Sequence, residues 1–121
     1  ALARLRAELH QLVAALARRD WEEAASCVRR DQRVRGALVE PEDFAAAMEP
    51  YFEQYEALRF DHAARLAEHT QLTGMGDATW RVAQILLDPE DDNFWHIEGA
   101  VDLSDETSVE GPLITVTKIG T

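Results

Sequence analysis

The sequence predicts an α+β fold in which three N-terminal helices pack on an antiparallel sheet of about four strands. Apolar residues recur at helical spacing through the first half of the 121-residue chain. From about Leu58 the pattern changes to β-compatible segments separated by polar or glycine-containing turns. The chain length suits one hydrophobic core, so we expect a single domain over residues 1–121.

The first two helices are predicted from apolar stripes and a capping signal. Asp20 is a suitable N-cap for the second helix, with Glu23 at its third position, and this helix is expected to end near Arg30. The first helix is predicted over residues 2–18, where one face carries Leu2, Leu5, Leu9, Leu12, Val13 and Leu16.

The third helix is predicted to begin at Pro41 and to reach about Tyr55. Proline suits a first helical turn, whereas Pro50 is expected to kink or shorten the helix. Residues 31–40 show no helical period and fit either a short hairpin or a loop.

The best-supported hairpin joins residues 79–88 to residues 93–103 through a polar turn. Further strands are predicted at 113–119 and between 65 and 72. Residues 93–103 alternate between apolar and polar side chains, as a half-buried strand does, with His96, Glu98 and Asp102 on the polar face. Residues 79–88 and 113–119 are apolar on both faces, which predicts that the side of the sheet away from the helices meets a second subunit or another domain. The outward apolar residues are Ala83, Ile85, Leu87, Ile114 and Val116.

The charge balance disfavours several partners. Asp and Glu number 23 against 12 Lys and Arg, a formal net charge of -11, which opposes contact with nucleic-acid phosphates and with anionic lipid. If nucleic acid contacts this domain at all, the favoured place is the arginine-rich segment of Arg29, Arg30, Arg33 and Arg35, although a solvated helix end explains these residues more simply. No apolar run approaches the ~18 residues of a membrane span.

No motif for catalysis, a metal or a cofactor is recognisable. His10, His62, His69 and His96 lack metal-ligand spacing. The acidic run at 88–92 lacks the alternation and glycine of a calcium loop, and a solvated turn is the simpler interpretation. Cys27 is the only cysteine, which excludes an internal disulfide and fits a reducing cytoplasm.

A small-ligand pocket between the third helix and the sheet is the alternative to a plain core. Aromatic side chains with one polar group often line such pockets, although the same residues are more often core. The candidates are Tyr51, Tyr55, Trp80, Gln84 and Trp95.

The order of a first helix, the segment RDWEEAA at 19–25, a third helix and a run of strands resembles the nuclear-transport-factor-2-like or SnoaL-like cone. That resemblance implies a cystatin-like fold, a curved sheet wrapped around helices. Enzymes of this type with ketosteroid-isomerase chemistry carry a tyrosine on the first helix and buried carboxylates. Residues 2–18 contain no tyrosine, and Asp102 falls on the polar face of its strand, so no catalytic residue is carried over.

Four further segments resemble the C-terminal region of DEAD/DEAH-box helicases from high-GC bacteria: ARRDWEEAA (17–25), PYFEQY (50–55), RFDHAARL (59–66), and the tail from VAQ (82–84) through DPE (88–90) to VDL (101–103). The resemblance implies a domain appended to ATPase motifs that lie upstream, and hence a piece of a longer chain. We therefore expect a non-catalytic, cytoplasmic accessory domain that contacts the rest of a helicase or a second copy of itself, without a cofactor. The alternative is a SnoaL-like small-ligand-binding protein or enzyme.

Overall fold

The computed structural model describes residues 2–31, 34–103 and 110–121. Within them, three helices precede a four-stranded antiparallel sheet, which confirms the predicted α+β fold. The helices are α1 (Leu2–Ala17), α2 (Trp21–Ser26) and α3 (Pro41–Gln54); the strands are β1 (Thr70–Gly74), β2 (Thr79–Ile85), β3 (His96–Asp102) and β4 (Thr115–Gly120). The strands lie in the order β1-β2-β3-β4, so each pairs with its neighbours in sequence.

One hydrophobic core lies between the helices and one face of the sheet. The apolar stripe of α1 is inaccessible to solvent at Leu5, Leu9 and Leu12, as its spacing predicts. The same cluster contains Phe44 of α3 and Ile97 of β3, so both layers contribute to it. Its remaining large members include Leu16, Met48, Tyr51, Val82, Leu86, Val101 and Val116.

The second helix begins as predicted but is shorter. The Asp20 carboxylate accepts the Glu23 backbone N–H at 3.1 Å, which caps α2. The helix ends at Ser26 rather than near Arg30. The reason is a long-range hydrogen bond. The Arg29 N–H donates to the Ile114 carbonyl at 2.7 Å and is therefore not available for a hydrogen bond within the helix.

The described part of 31–40 is a loop, which decides between the two predicted alternatives. Gly36 has a φ of +76°, a conformation that suits glycine in a turn. The Leu38 N–H donates to the Val116 carbonyl at 2.9 Å, so this loop lies beside the outer edge of β4. Helix α3 continues through Pro50 to Gln54.

The strand expected between 65 and 72 begins later. Two short 3₁₀ turns at Ala63–Arg65 and Ala67–His69 precede the strand, and β1 starts at Thr70. Among the described residues, no helix has both the length and the apolarity that crossing a bilayer requires.

A β-bulge between Glu98 and Gly99 sets the register of the last two strands. Gly99 pairs with Val116 on the core side, and a Cβ at Gly99 would collide with the Thr115 carbonyl oxygen. Only glycine therefore allows β4 to approach β3 this closely.

Candidate functional site

The helices cover one face of the sheet, and the alternate side chains of the strands form the other. Ala83 pairs with Glu98, Arg81 with Ala100, and Glu98 with Lys118. We call this surface the outer sheet face and define it by Thr79, Arg81, Ala83, Ile85, His96, Glu98, Ala100 and Lys118. In the described chain no helix packs on this face, because the helical core residues cluster with the opposite side chains.

The outer sheet face combines small apolar residues with charges of both signs. Glu98 lies at its centre, with the His96 ring nitrogen Nε2 at 2.7 Å and Lys118 Nζ at 3.8 Å from its Oε2 atom. A shallow groove of about 280 Å³ crosses the face beside this group. Residues that line it include Met75, Thr79, Arg81, Ala100 and Thr117.

The structure separates the five residues predicted for an interface. Ala83 and Ile85 are partly exposed on the outer sheet face. Leu87, Ile114 and Val116 are buried inside the chain, with exposed fractions of 4%, 0% and 0%. Alternation along a strand does not extend past its end or across a bulge, and Leu87 and Ile114 lie outside β2 and β4. Contact with a second subunit stays a prediction, and only Ala83 and Ile85 of this set are accessible for it.

Three of the five predicted pocket residues meet, but they pack directly on one another. The ring of Tyr51 lies 5.1 Å from that of Tyr55 and 5.4 Å from that of Trp95, measured between centroids. Trp80 lies elsewhere, against Gly74 of the neighbouring strand. Gln84 is fully buried and its oxygen accepts the Thr70 hydroxyl, while its amide nitrogen has no partner. The aromatic rings thus form a packed cluster.

Hydrogen bonds hold the polar atoms of this aromatic cluster. The Tyr51 hydroxyl donates to the Ala57 carbonyl at 2.8 Å, and the Tyr55 hydroxyl donates to Asp92 at 2.7 Å. Burial raises the pKa of Tyr51, and the hydrogen bond to Asp92 raises that of Tyr55. Both phenols stay protonated near neutral pH and are poorly suited to general-base chemistry.

The acidic turn after β2 is organised by one buried carboxylate. Asp88 is 1% exposed and accepts the backbone N–H groups of Glu90, Asp92 and Asn93 at 2.9–3.0 Å. Burial alone raises the pKa of Asp88, but these hydrogen bonds outweigh it and the net shift is downward. Its oxygens are used by the turn itself. In the described ranges, no three His, Cys, Asp or Glu side chains converge in a metal-binding arrangement.

The remaining candidates are the cysteine thiol and the arginine-rich segment, and the contacts of Cys27 and Arg30 are with other residues of the fold. Burial raises the pKa of the Cys27 thiol to about 11, so the nucleophilic thiolate is scarce at neutral pH. Arg30 is exposed and forms an ion pair with Glu40 at 2.6 Å. Arg33 lies outside the described residues.

Alternation along the chain places Glu98 on the polar face of its strand, but it does not show that Lys118 pairs with Glu98 or that Arg81 lines the same groove. That grouping depends on strand register, which hydrophobic alternation does not reveal.

The model of the DUF3516 family, a domain of unknown function, matches residues 2–119. The chain belongs to the DUF3516 family. A comparison with curated proteins found no match. The DUF3516 match spans both layers of the fold, so the helices, the outer sheet face and the aromatic cluster are all parts of the DUF3516 unit.

Proposed function

We propose that this DUF3516 domain is a non-catalytic accessory module of a DEAD/DEAH-box helicase, which contacts another protein segment through the outer sheet face. The observation that carries the proposal is the accessibility of Ala83 and Ile85 beside the charged group around Glu98. Small apolar residues rimmed by charges of both signs are suited to a specific protein contact.

The chemistry of the described side chains favours contact over catalysis. The aromatic cluster is filled by its own rings, and the hydroxyl groups of Tyr51 and Tyr55 are engaged. The Cys27 thiol is buried and hydrogen-bonded to the Glu23 carbonyl at 3.2 Å. These features also disfavour the ligand-binding alternative, which needs an open cavity between α3 and the sheet.

The link to a helicase is supported by the four segments that resemble the C-terminal region of such enzymes. The net charge of -11 disfavours a direct grip on nucleic acid. A domain of this kind would act on unwinding through protein contacts, either by positioning the motor or by coupling ATP hydrolysis to strand separation.

The test uses the full-length helicase that carries this domain, with Ile85→Lys on the outer sheet face. Leu2→Lys is the matched control, because Leu2 is an exposed apolar residue of the helical layer. We expect Ile85→Lys to lower the unwinding rate by about tenfold, as the loss of one interface anchor does, while the ATPase rate stays within about twofold.

Ala83→Glu places the opposite charge on the same face and should have the same effect. Circular dichroism melting of each variant establishes that the domain remains folded. If folded Ile85→Lys and Ala83→Glu proteins unwind at the rate of the Leu2→Lys control, the outer sheet face has no role in the helicase and the proposal fails.

A further inference from the structure

The open edge of β1 carries an independent inference about self-association. In the described part of the chain, β1 is an end strand of the sheet, with β2 on one side and no strand on the other. At the opposite end, the Leu38 N–H donates to Val116 of β4, and the Arg29 N–H donates to Ile114 just before the strand. As far as the described residues go, the edge of β1 therefore differs from that of β4 in being open to another strand.

The hydrogen-bond pattern shows which backbone groups face the open edge. The Met75 N–H donates to the Thr79 carbonyl at 3.1 Å, and narrow and wide pairs alternate along an antiparallel ladder. It follows that Gln71 and Thr73 direct their backbone groups toward β2, whereas Thr70, Leu72 and Gly74 direct theirs outward. The Thr70 N–H fits this direction, because it donates to the Ala67 carbonyl of the preceding turn instead of to β2.

We propose that β1 pairs with β1 of a second copy, antiparallel and about a twofold axis at Leu72, to make a continuous sheet. In this register Leu72 faces Leu72 of the other copy, and both residues have an outward N–H and an outward carbonyl. They exchange two hydrogen bonds. Gly74 faces Thr70 of the other copy. At each end of the new strand pair, the Gly74 N–H therefore donates to the Thr70 carbonyl of the other copy.

The side chains of β1 favour a second copy over a charged partner. Thr70–Gly74 contains no charged residue and no proline, although the whole chain has a net charge of -11. Natural sheet edges that stay unpaired are commonly protected by lysine, proline or a bulge, and this strand has none of them. Two copies can therefore approach here without opposing like charges across the new strand pair.

Trp80 gives the edge an apolar contact. Its ring extends over Gly74, where a Cβ would lie 3.3 Å from ring atom Cζ3, and 36% of the residue is exposed. Since Gly74 faces Thr70 of the second copy, the exposed indole would cover that threonine and lose contact with water. Pairing through β1 requires no attachment to a helicase.

The first test is a charge-pair experiment on the 121-residue chain, with mass measured by light scattering after gel filtration and affinity by sedimentation. Gln71 faces Thr73 of the other copy, and both side chains are exposed. Q71E/T73E opposes like charges at both sites, whereas Q71K/T73E places opposite charges there. The T73E substitution is common to both variants and lies opposite Arg81 of the same chain, so that local effect is constant.

We expect a dimer of roughly twice 13.6 kDa for the native chain. Its dissociation constant should be at least about tenfold higher for Q71E/T73E than for Q71K/T73E, because cross-strand charge pairs act at this distance. A monomer at several hundred micromolar overturns the proposal. So does a dimer with equal affinity in the two variants, which would indicate a surface that does not include Gln71 and Thr73.

The second test fixes the register by cross-linking. Residues of a closely spaced antiparallel pair have Cα atoms about 4.5 Å apart, within disulfide range. An equimolar mixture of Q71C and T73C chains should form a covalent dimer on mild oxidation, whereas each chain alone should form little. Equal cross-linking of Q71C alone contradicts the twofold register. These results are independent of the unwinding assay, so failure of one proposal is distinguishable from failure of the other.

Discussion

Asp88→Asn should destabilise the domain by about 2 kcal/mol, because it removes the charge that organises the turn between β2 and β3. The native Oδ1 atom accepts the Glu90 and Asp92 N–H groups, and Oδ2 accepts that of Asn93. Asparagine keeps one oxygen, so the bond to Asn93 is lost and the other two lose their charge assistance.

The magnitude follows from typical hydrogen-bond energies. A bond to a charged group contributes about 1.5–3 kcal/mol and a neutral bond about 1 kcal/mol. Replacing three charge-assisted bonds of about 2 kcal/mol each by two neutral bonds gives a gross loss near 4 kcal/mol. The flanking turn residues 89–94 are exposed, so water compensates part of this loss. We take about half of the gross value, or about 2 kcal/mol, as the expected change.

Urea unfolding at pH 7, followed by tryptophan fluorescence, measures this change. Asp91→Asn is the control, because Asp91 is exposed in the same turn and asparagine tolerates its φ of +60°. The Asp91 variant should stay within about 0.5 kcal/mol of the native chain. An Asp88→Asn protein as stable as this control would refute the organising role of the buried carboxylate.

The pH dependence provides a second check on the same residue. The folded pKa of Asp88 lies below its ordinary value of 3.8, so ionisation stabilises the fold fully above that value. This stabilisation is lost as the pH falls from 3.8 through the lower folded pKa. The difference in stability between native protein and Asp88→Asn should therefore shrink with acid in that window. A difference that stays constant down to the folded pKa contradicts the assignment.

Two further substitutions test the packing that positions the outer sheet face. Gly99→Ala should destabilise the domain by about 1–3 kcal/mol, because its Cβ meets the Thr115 carbonyl at the bulge; an unchanged melting temperature would mean that β4 can shift freely. Tyr51→Phe should cost about 1 kcal/mol in urea unfolding through loss of the bond to the Ala57 carbonyl, and no change would imply that the hydroxyl is equally well satisfied by water in the unfolded chain.

The elements that the sequence predicts well are those determined by local pattern. The stripe of α1 and the start of α3 at Pro41 need no information from elsewhere in the chain. The end of α2 is different, because the Arg29 N–H bonds to Ile114, about 85 residues away. Such a bond leaves no local signal, so the predicted end near Arg30 was wrong.

The candidate site was predictable only in part. Alternation correctly assigned Glu98 to the polar side of its strand, but it could not place Ile114 and Val116 inside the core, because the bulge after Glu98 changes the register. Tyr51, Tyr55 and Trp95 were predicted to lie together and do so, whereas Trp80 was predicted to join them and lies elsewhere. Which rings meet is decided by packing between layers, and strand periodicity does not carry that information.

The size of the native polypeptide tests the central claim most directly, since the claim is that this DUF3516 domain serves a helicase. An antibody raised against the 121-residue chain can isolate the polypeptide from a lysate of the source organism, and mass spectrometry can then identify its peptides. We predict a chain far larger than 13.6 kDa that contains DEAD/DEAH-box ATPase motifs. A polypeptide near 13.6 kDa, or a large one without those motifs, would contradict it.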